Sequence, residues 1–245
     1  MTLPDLVLVH GGEHAGDCWD LVVAELHRKA PELRTLAVDL PGRGRTPGDL
    51  ATATIGEWVD SVVADIDREG LGDVVIVGHS MAGVTVPGVV AKLGSARVRE
   101  MILAAAFVPR QGQAIVDTLG GPLAVFARYS ARGGRAFKVP RVAAKYAFCN
   151  GMTREQRRLT MSKLYAESAR IPGEAVDRSA LPDDVPRTWI LTTRDRALSN
   201  KSQQASIAAL GGVKDVIPID ACHDLMFSHP EHLAQILVER CRVHE

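Results

Sequence analysis

Val74-Val75-Ile76-Val77-Gly78-His79-Ser80-Met81-Ala82-Gly83 is the stretch that decides the fold. A four-residue apolar, β-branched run reads as a buried strand. It stops at a glycine, and a serine follows between small neighbours. Val84 to Leu93 can then be helical. A serine on so sharp a strand-to-helix turn is held clear of the sheet, near the positive end of the next helix. The turn requires small residues two before and two after the serine. Gly78 and Ala82 meet that need and Gly83 gives further room, although Ala82 stands where the common pattern has glycine. A helix-capping serine or a phosphate loop would be the plainer readings. G-x-x-x-x-G-K-[ST] and G-x-G-x-x-G are both absent. One residue conflicts with the assignment: Pro87 falls inside the expected helix, where it would cost about 3 kcal/mol unless the helix kinks or starts irregularly.

Outward from this turn, strands and helices alternate. Leu6-Val7-Leu8-Val9, Thr35-Leu36-Ala37-Val38, Val98 to Phe107, Trp189-Ile190-Leu191-Thr192 and Asp215 to Ile219 read as strands. Trp19, Val22, Val23 and Leu26 have helical spacing, as do Trp58, Val62 and Ile66 within Ile55–Ile66. Gln203–Leu210 and a final helix holding Leu233–Val238 complete the series. This order predicts an α/β fold, a mostly parallel sheet with helices on both faces. From 109 to 182 the pattern breaks into loops and short helices. That segment is expected to be a helical cap inserted into a core formed by 1–108 and 183–245, over the sheet edge where ligands bind.

The chain has 245 residues, enough for one large α/β domain or two small ones. Its 46% hydrophobic and 24% charged residues are ordinary for a globular protein. Zero net charge gives no reason to expect nucleic acid or an anionic membrane as partner. Without a signal-peptide pattern or a long apolar stretch, a cytoplasmic location is the default. Cys18, Cys149, Cys222 and Cys241 form no C-x-x-C pair and are expected to be reduced. No cofactor or metal is expected. Oligomeric state is left open, a homodimer included.

A serine hydroxyl needs a base, and the base needs an anion to hold its tautomer. On this topology they follow in the order serine, acid, histidine. His223 comes after the strand that ends at Ile219 and before the last helix, so it shares the sheet edge with Ser80. His229 and His232 look like a helix start. Asp195 ends the loop after the strand at 189–192, one strand–helix–strand unit before His223. Asp183 and Asp184 precede that strand, Asp215 begins one at the opposite edge, and Asp220 is too local to orient the ring. The oxyanion donors are expected to be the backbone N–H groups of Met81 and of Gly12, the latter in His10-Gly11-Gly12-Glu13-His14. His10 and His14 without a carboxylate cluster make a thin case for a metal.

Together these residues resemble the α/β-hydrolase superfamily. The likeness spans His10-Gly11-Gly12, Asp39-Leu40-Pro41-Gly42-Arg43-Gly44, the Ser80 turn, Asp195 and Cys222-His223-Asp224-Leu225-Met226. Cys18-Trp19 and the run from His223 to Pro230 narrow it to small esterases grouped with plant methyl esterases, hydroxynitrile lyases and bacterial salicylate-esterase-like hydrolases. The resemblance implies a cofactor-free carboxylesterase acting on a small ester through Ser80, His223 and Asp195. The lyases of this group carry threonine in the first loop and lysine after the histidine. Gly11 and Asp224 stand there instead, which favours hydrolysis. A thioesterase, a cyclase or a C–C bond lyase using the same triad is the alternative.

Gly11, His14, Trp19, His79, Phe107 and Met226 are expected around the substrate pocket. From the cap, Phe126, Tyr129 and Tyr146 are expected to join them, with Phe137 and Phe148 as further cap aromatics. The cap is also basic: Arg128, Arg132, Arg135, Lys138, Arg141 and Lys145 occur with no acidic residue between Asp117 and Glu155. This is a solvated face or an attractor for an anionic substrate.

Overall fold

The computed structural model describes residues 3–119 and 135–245. Six strands form one sheet: β1 (Asp5–Val9), β2 (Thr35–Ala37), β3 (Val74–His79), β4 (Val98–Ala104), β5 (Arg187–Thr192) and β6 (Asp215–Ile219). Their order is β2-β1-β3-β4-β5-β6, and every neighbouring pair is parallel. The chain runs outward from β1 to β2, returns across β1 to β3, and continues on the other side. That reversal leaves a crevice beyond the carboxyl ends of β1 and β3, the place where open α/β sheets bind ligands. Gly11 and Gly12 follow β1, and Ser80 follows β3.

Side chains alternate across each strand, so one sequence serves two cores. Val7, Val9, Val74, Ile76, Met101 and Leu103 pack with α2 (Ile55–Arg68) and α3 (Val86–Leu93). Leu6, Leu8, Val75, Val77, Ile102 and Ala104 pack with α1 (Asp20–Lys29) and the last helix, Pro230–Val243. With both faces covered, the strands read as unbroken apolar runs. Trp58, Val62 and Ile66 form the buried face of α2. Its start is set by a capping box: Thr54 Oγ1 accepts the Glu57 N–H at 3.1 Å, and Glu57 Oε2 accepts the Thr54 N–H at 2.9 Å.

Two expectations are corrected. β4 ends at Ala104 instead of Phe107, because Ala105 turns to φ +46° and breaks the extended run. The proline conflict dissolves because no single helix runs from Val84. One turn of 3-10 helix spans Ser80–Gly83, and α3 begins at Val86. Pro87 therefore lies in the first turn of α3, where a missing N–H costs nothing.

The segment between β4 and β5 carries α4 (Ile115–Thr118), α5 (Arg141–Phe148), α6 (Arg154–Ser162) and a 3-10 turn at Ile171–Gly173. A single antiparallel bridge joins Phe137 to Glu167. After β5 come α7 (Asn200–Ala209), then β6, α8 (Leu225–Ser228) and α9 (Pro230–Val243). No helix among the described residues is long and apolar enough to cross a membrane. All four cysteines are buried and unpaired.

Candidate active site

Ser80 sits at φ +53°, a backbone conformation that costs a non-glycine residue about 1–3 kcal/mol. Its surroundings hold it there. The Phe107 N–H donates to Ser80 O at 2.9 Å. A Cβ on Gly11 would lie 2.7 Å from Ser80 Cβ, so only glycine lets the β1 loop pass this close. A Cβ on Gly83 would meet Phe107 O at 2.4 Å, which explains the glycine there.

The Ser80 hydroxyl donates to His223 Nε2 at 2.8 Å, and the opposite ring edge, Nδ1–H, donates to Asp195 Oδ2 at 2.7 Å. Asp195 is itself fixed. Its Oδ2 also accepts Thr192 Oγ1 at 2.8 Å, and its Oδ1 accepts the backbone N–H groups of Ala197 at 2.8 Å and Leu198 at 2.7 Å. Burial by itself would push the Asp195 carboxyl up. The His223 ring and these hydrogen bonds outweigh it and hold the group below the ordinary carboxylate range. Burial would likewise lower His223, but the Asp195 charge and hydrogen bond prevail and raise it. Neither the Gly12 N–H nor the Met81 N–H donates to any group among the described residues. A Cβ on Gly12 would lie 3.6 Å from Met81 Sδ, so the two loops adjoin.

The sequence from 6 to 236 matches the family model described as the alpha/beta hydrolase family. The chain belongs to the α/β-hydrolase family. It is similar to a carbendazim hydrolyzing esterase of Nocardioides sp. (strain SG-4G), 30% identical over 118 residues, which are 48% of each chain. That alignment thus spans about half the length of this relative. It is also similar to esterase PIR7B of Oryza sativa subsp. japonica, 24% identical over 98% of this chain and 96% of the other. Among solved structures, an extracellular α/β-hydrolase from a Paenibacillus species shares the fold. Its TM-score is 0.85 at 20% identity, over 96% of this chain and 98% of that one; it is described as having structural and functional homology to tobacco salicylic acid binding protein 2.

Around the Ser80–His223 contact, this α/β-hydrolase packs rings. Phe148, at the end of α5, stacks on the His223 imidazole with centroids 5.6 Å apart, and Phe107 meets it edge-on at 6.4 Å. The His79 ring lies 4.9 Å from His223, and its Nε2–H donates to His223 O at 3.0 Å. Burial pushes His79 down to about 3, so it is neutral. His14 Nε2–H donates to Asp224 Oδ2 at 3.1 Å, both groups fully buried. Burial opposes both charges, yet their mutual attraction and hydrogen bond raise His14 and lower Asp224. His10 donates from Nδ1 to Gly11 O at 2.9 Å and accepts the Leu40 N–H on Nε2 at 3.1 Å. Both of its nitrogens are thus committed to backbone. Donor atoms of His79, His223 and Asp224 lie within 4.8 Å of one another, the spacing of a metal site. Prior commitments of His223 to Ser80 and Asp195, and of Asp224 to His14, leave that trio poorly suited to an ion.

Several expected pocket residues lie elsewhere. Trp19 and Met226 are wholly buried in the core on the α1/α9 face, and Trp19 approaches the site only through its edge contact with His79 at 6.4 Å. Tyr146 is a surface residue, 63% exposed, with the Arg196 guanidinium 4.9 Å from its ring centre. Two residues before Phe148, it points about 200° away from it round the helix, onto the exposed side of α5. Phe126 and Tyr129 lie outside the described residues, as do Arg128 and Arg132. Arg135, Lys138, Arg141 and Lys145 are exposed. Asp220 pairs with Arg194 and Asp183 with Arg187, away from the His223 ring. Phe148, one of the cap aromatics expected as core or pocket wall, stands against His223, whereas Glu13 and Glu167 were not among the expected residues. Glu13 was legible by adjacency to Gly12; nothing local marks Glu167.

Proposed function

We propose that this α/β-hydrolase is a serine carboxylesterase that cleaves a small-molecule ester through an acyl-enzyme. The observation that carries the reading is the unbroken run of hydrogen bonds from Ser80 Oγ through the His223 ring to the Asp195 carboxylate, at 2.8 and 2.7 Å. As Ser80 Oγ attacks the ester carbonyl, its proton passes to His223 Nε2. Asp195 keeps Nδ1 protonated and stabilises the imidazolium. The Gly12 and Met81 N–H groups hydrogen-bond the negative oxygen of the tetrahedral intermediate. When the intermediate collapses, the C–O bond to the alcohol breaks and His223 returns the proton to it. Water then enters, gives a proton to His223, and adds to the acyl carbonyl; the second collapse frees the acid and restores the Ser80 hydroxyl. The esterase names of the relatives agree with this chemistry, and Asp224 puts no cation where a leaving cyanide would need one. In the same reading the insertion between β4 and β5 caps the site, as the stacking of Phe148 on His223 supports.

The test is intact-protein mass spectrometry after exposure to an organophosphonate. One adduct per chain is expected, absent from Ser80→Ala. Labelling that survives in Ser80→Ala would remove Ser80 as nucleophile. Short p-nitrophenyl esters and the matching acyl thioesters, run side by side, separate esterase from thioesterase; faster turnover of the thioester would replace the present reading.

A further inference from the structure

Glu13 follows Gly12 directly, and the catalytic steps above make no use of it. It is buried at φ +58°, an uncommon conformation for a residue with a side chain. Three of its hydrogen bonds run to the insertion between β4 and β5. Its N–H donates to Glu167 Oε2 at 2.9 Å, its carbonyl accepts the Tyr165 N–H at 2.7 Å, and its Oε1 accepts the Val139 N–H. The two pieces it grips are joined to each other. Phe137 N–H donates to Glu167 O at 2.9 Å, and Glu167 N–H donates to Phe137 O at 2.7 Å. Glu167 is anchored in turn by the Ser168 N–H at 2.5 Å and by the buried Arg43 guanidinium, which lies over the Trp58 ring at 5.5 Å. Loops from three parts of the chain therefore meet behind one peptide. Gly12 is pressed between them: a Cβ there would be 3.2 Å from Glu167 Oε2 and 3.6 Å from Met81 Cε.

We propose that Glu13 is a positioning residue which, by clamping the 137–139 and 165–167 segments to the loop after β1, fixes the Gly12 N–H where the oxyanion forms. The inference rests on the esterase reading. It makes the chemical step, rather than substrate binding, depend on a contact between loop and insertion. An oxyanion donor acts only at its proper distance, and losing one outright costs about 10²–10³-fold in kcat. A donor that is displaced but kept should cost about 10-fold or more.

The clamp also has a charge problem that gives it a signature. Glu13 and Glu167 are both buried carboxyls that face each other, and the buried Arg43 guanidinium pairs with Glu167. His14 and Lys138 are the other charged groups that face Glu13. Burial, reinforced by the Glu167 charge and opposed by the Val139 N–H, His14 and Lys138, lifts Glu13 to about 7. Below that pH a protonated Glu13 lies against Glu167 without repulsion. Above it the two carboxylates repel, and the clamp loosens.

The experiment compares wild type, Glu13→Gln and Glu13→Ala on a p-nitrophenyl ester from pH 6 to 9, with Ser80 phosphonylation measured in parallel. Glutamine keeps an acceptor for the Val139 N–H and cannot ionise; alanine keeps neither. At pH 6 the alanine variant should lose at least about 10-fold in kcat with KM changed less than about 3-fold, and glutamine should restore most of the rate. Wild-type kcat should decline above about pH 7, and the glutamine variant should lack that decline. An alanine variant with normal kcat, a loss carried by KM alone, or a glutamine variant with the wild-type alkaline limb would each overturn the proposal. If the alanine variant shows no folded transition on melting, the glutamine pH profile decides alone. Failure of the esterase reading looks different: wild type itself would neither be labelled at Ser80 nor turn over the ester.

Discussion

Replacing Asp195 by asparagine should disable the base without disturbing the fold, and the structure dictates how. Asp195 Oδ1 accepts two backbone N–H groups, from Ala197 and Leu198, at 2.8 and 2.7 Å. An amide NH2 cannot sit there, because three donors would face one another. The asparagine oxygen must take the Oδ1 position, and its NH2 must point at His223 Nδ1. That nitrogen then becomes an acceptor, so the ring proton moves to Nε2 and faces Ser80 Oγ. The imidazole is left in the tautomer that cannot accept the serine proton. The same tautomer trap in serine proteases lowers kcat by about 10⁴-fold, equivalent to about 5.5 kcal/mol of barrier. The hydrogen bonds to Ala197 and Leu198 survive, so the melting temperature should move little. Steady-state kcat on a p-nitrophenyl ester, with thermal melting as control, measures both. The pH dependence gives an independent check. Asp195 raises His223, so wild-type kcat/KM should rise with pH through a value above 6.5. The residual activity of the variant should have its acid limb at lower pH. A variant within about 10-fold of wild type at neutral pH would refute the tautomer reasoning.

Two further outcomes follow from strain and from charge. Ser80→Gly should abolish turnover yet stabilise the fold, because glycine adopts φ +53° freely; a gain of about 1 kcal/mol in chemical denaturation is expected, and a loss would mean that Ser80 is not strained. His14→Ala should strand the buried Asp224 carboxylate at a cost of about 3–5 kcal/mol near pH 6. Because the folded pKa of His14 is raised, the stabilisation from its charge is fully present below about 6.5 and fades as pH climbs through the folded value. The lowered Asp224 contributes above about 3.9 and fades as pH falls through its folded value. Denaturation at pH 6 and pH 9 should therefore give the larger difference from wild type at pH 6.

Much of this molecule was legible from local pattern. Both faces of the sheet are covered, so its strands are continuous apolar runs, and alternation with amphipathic helices reports a parallel sheet. The Ser80 turn reads from glycine spacing alone, because steric clash is a local matter. Pro87 left two readings open, a kink or an irregular start, and the structure has the irregular start. The proline's incompatibility with a helix interior is local, but where α3 starts depends on how the turn after Ser80 packs against Phe107. Tyr146 and Phe148, two residues apart on one short helix, had equal claims as aromatics; the placement of α5 put one on the surface and the other on His223.

By itself, the sequence determined the order of elements, the turn that presents Ser80, and the short list of residues able to serve it, since these depend on steric and periodic rules over a few residues. Tertiary structure alone decided that burial lowers His79 while a buried carboxylate raises His14, and that Glu13 meets Glu167 across 154 positions. Those outcomes depend on burial and on charges brought together by folding. A residue's charge state and partner belong to its surroundings, which no window of sequence contains.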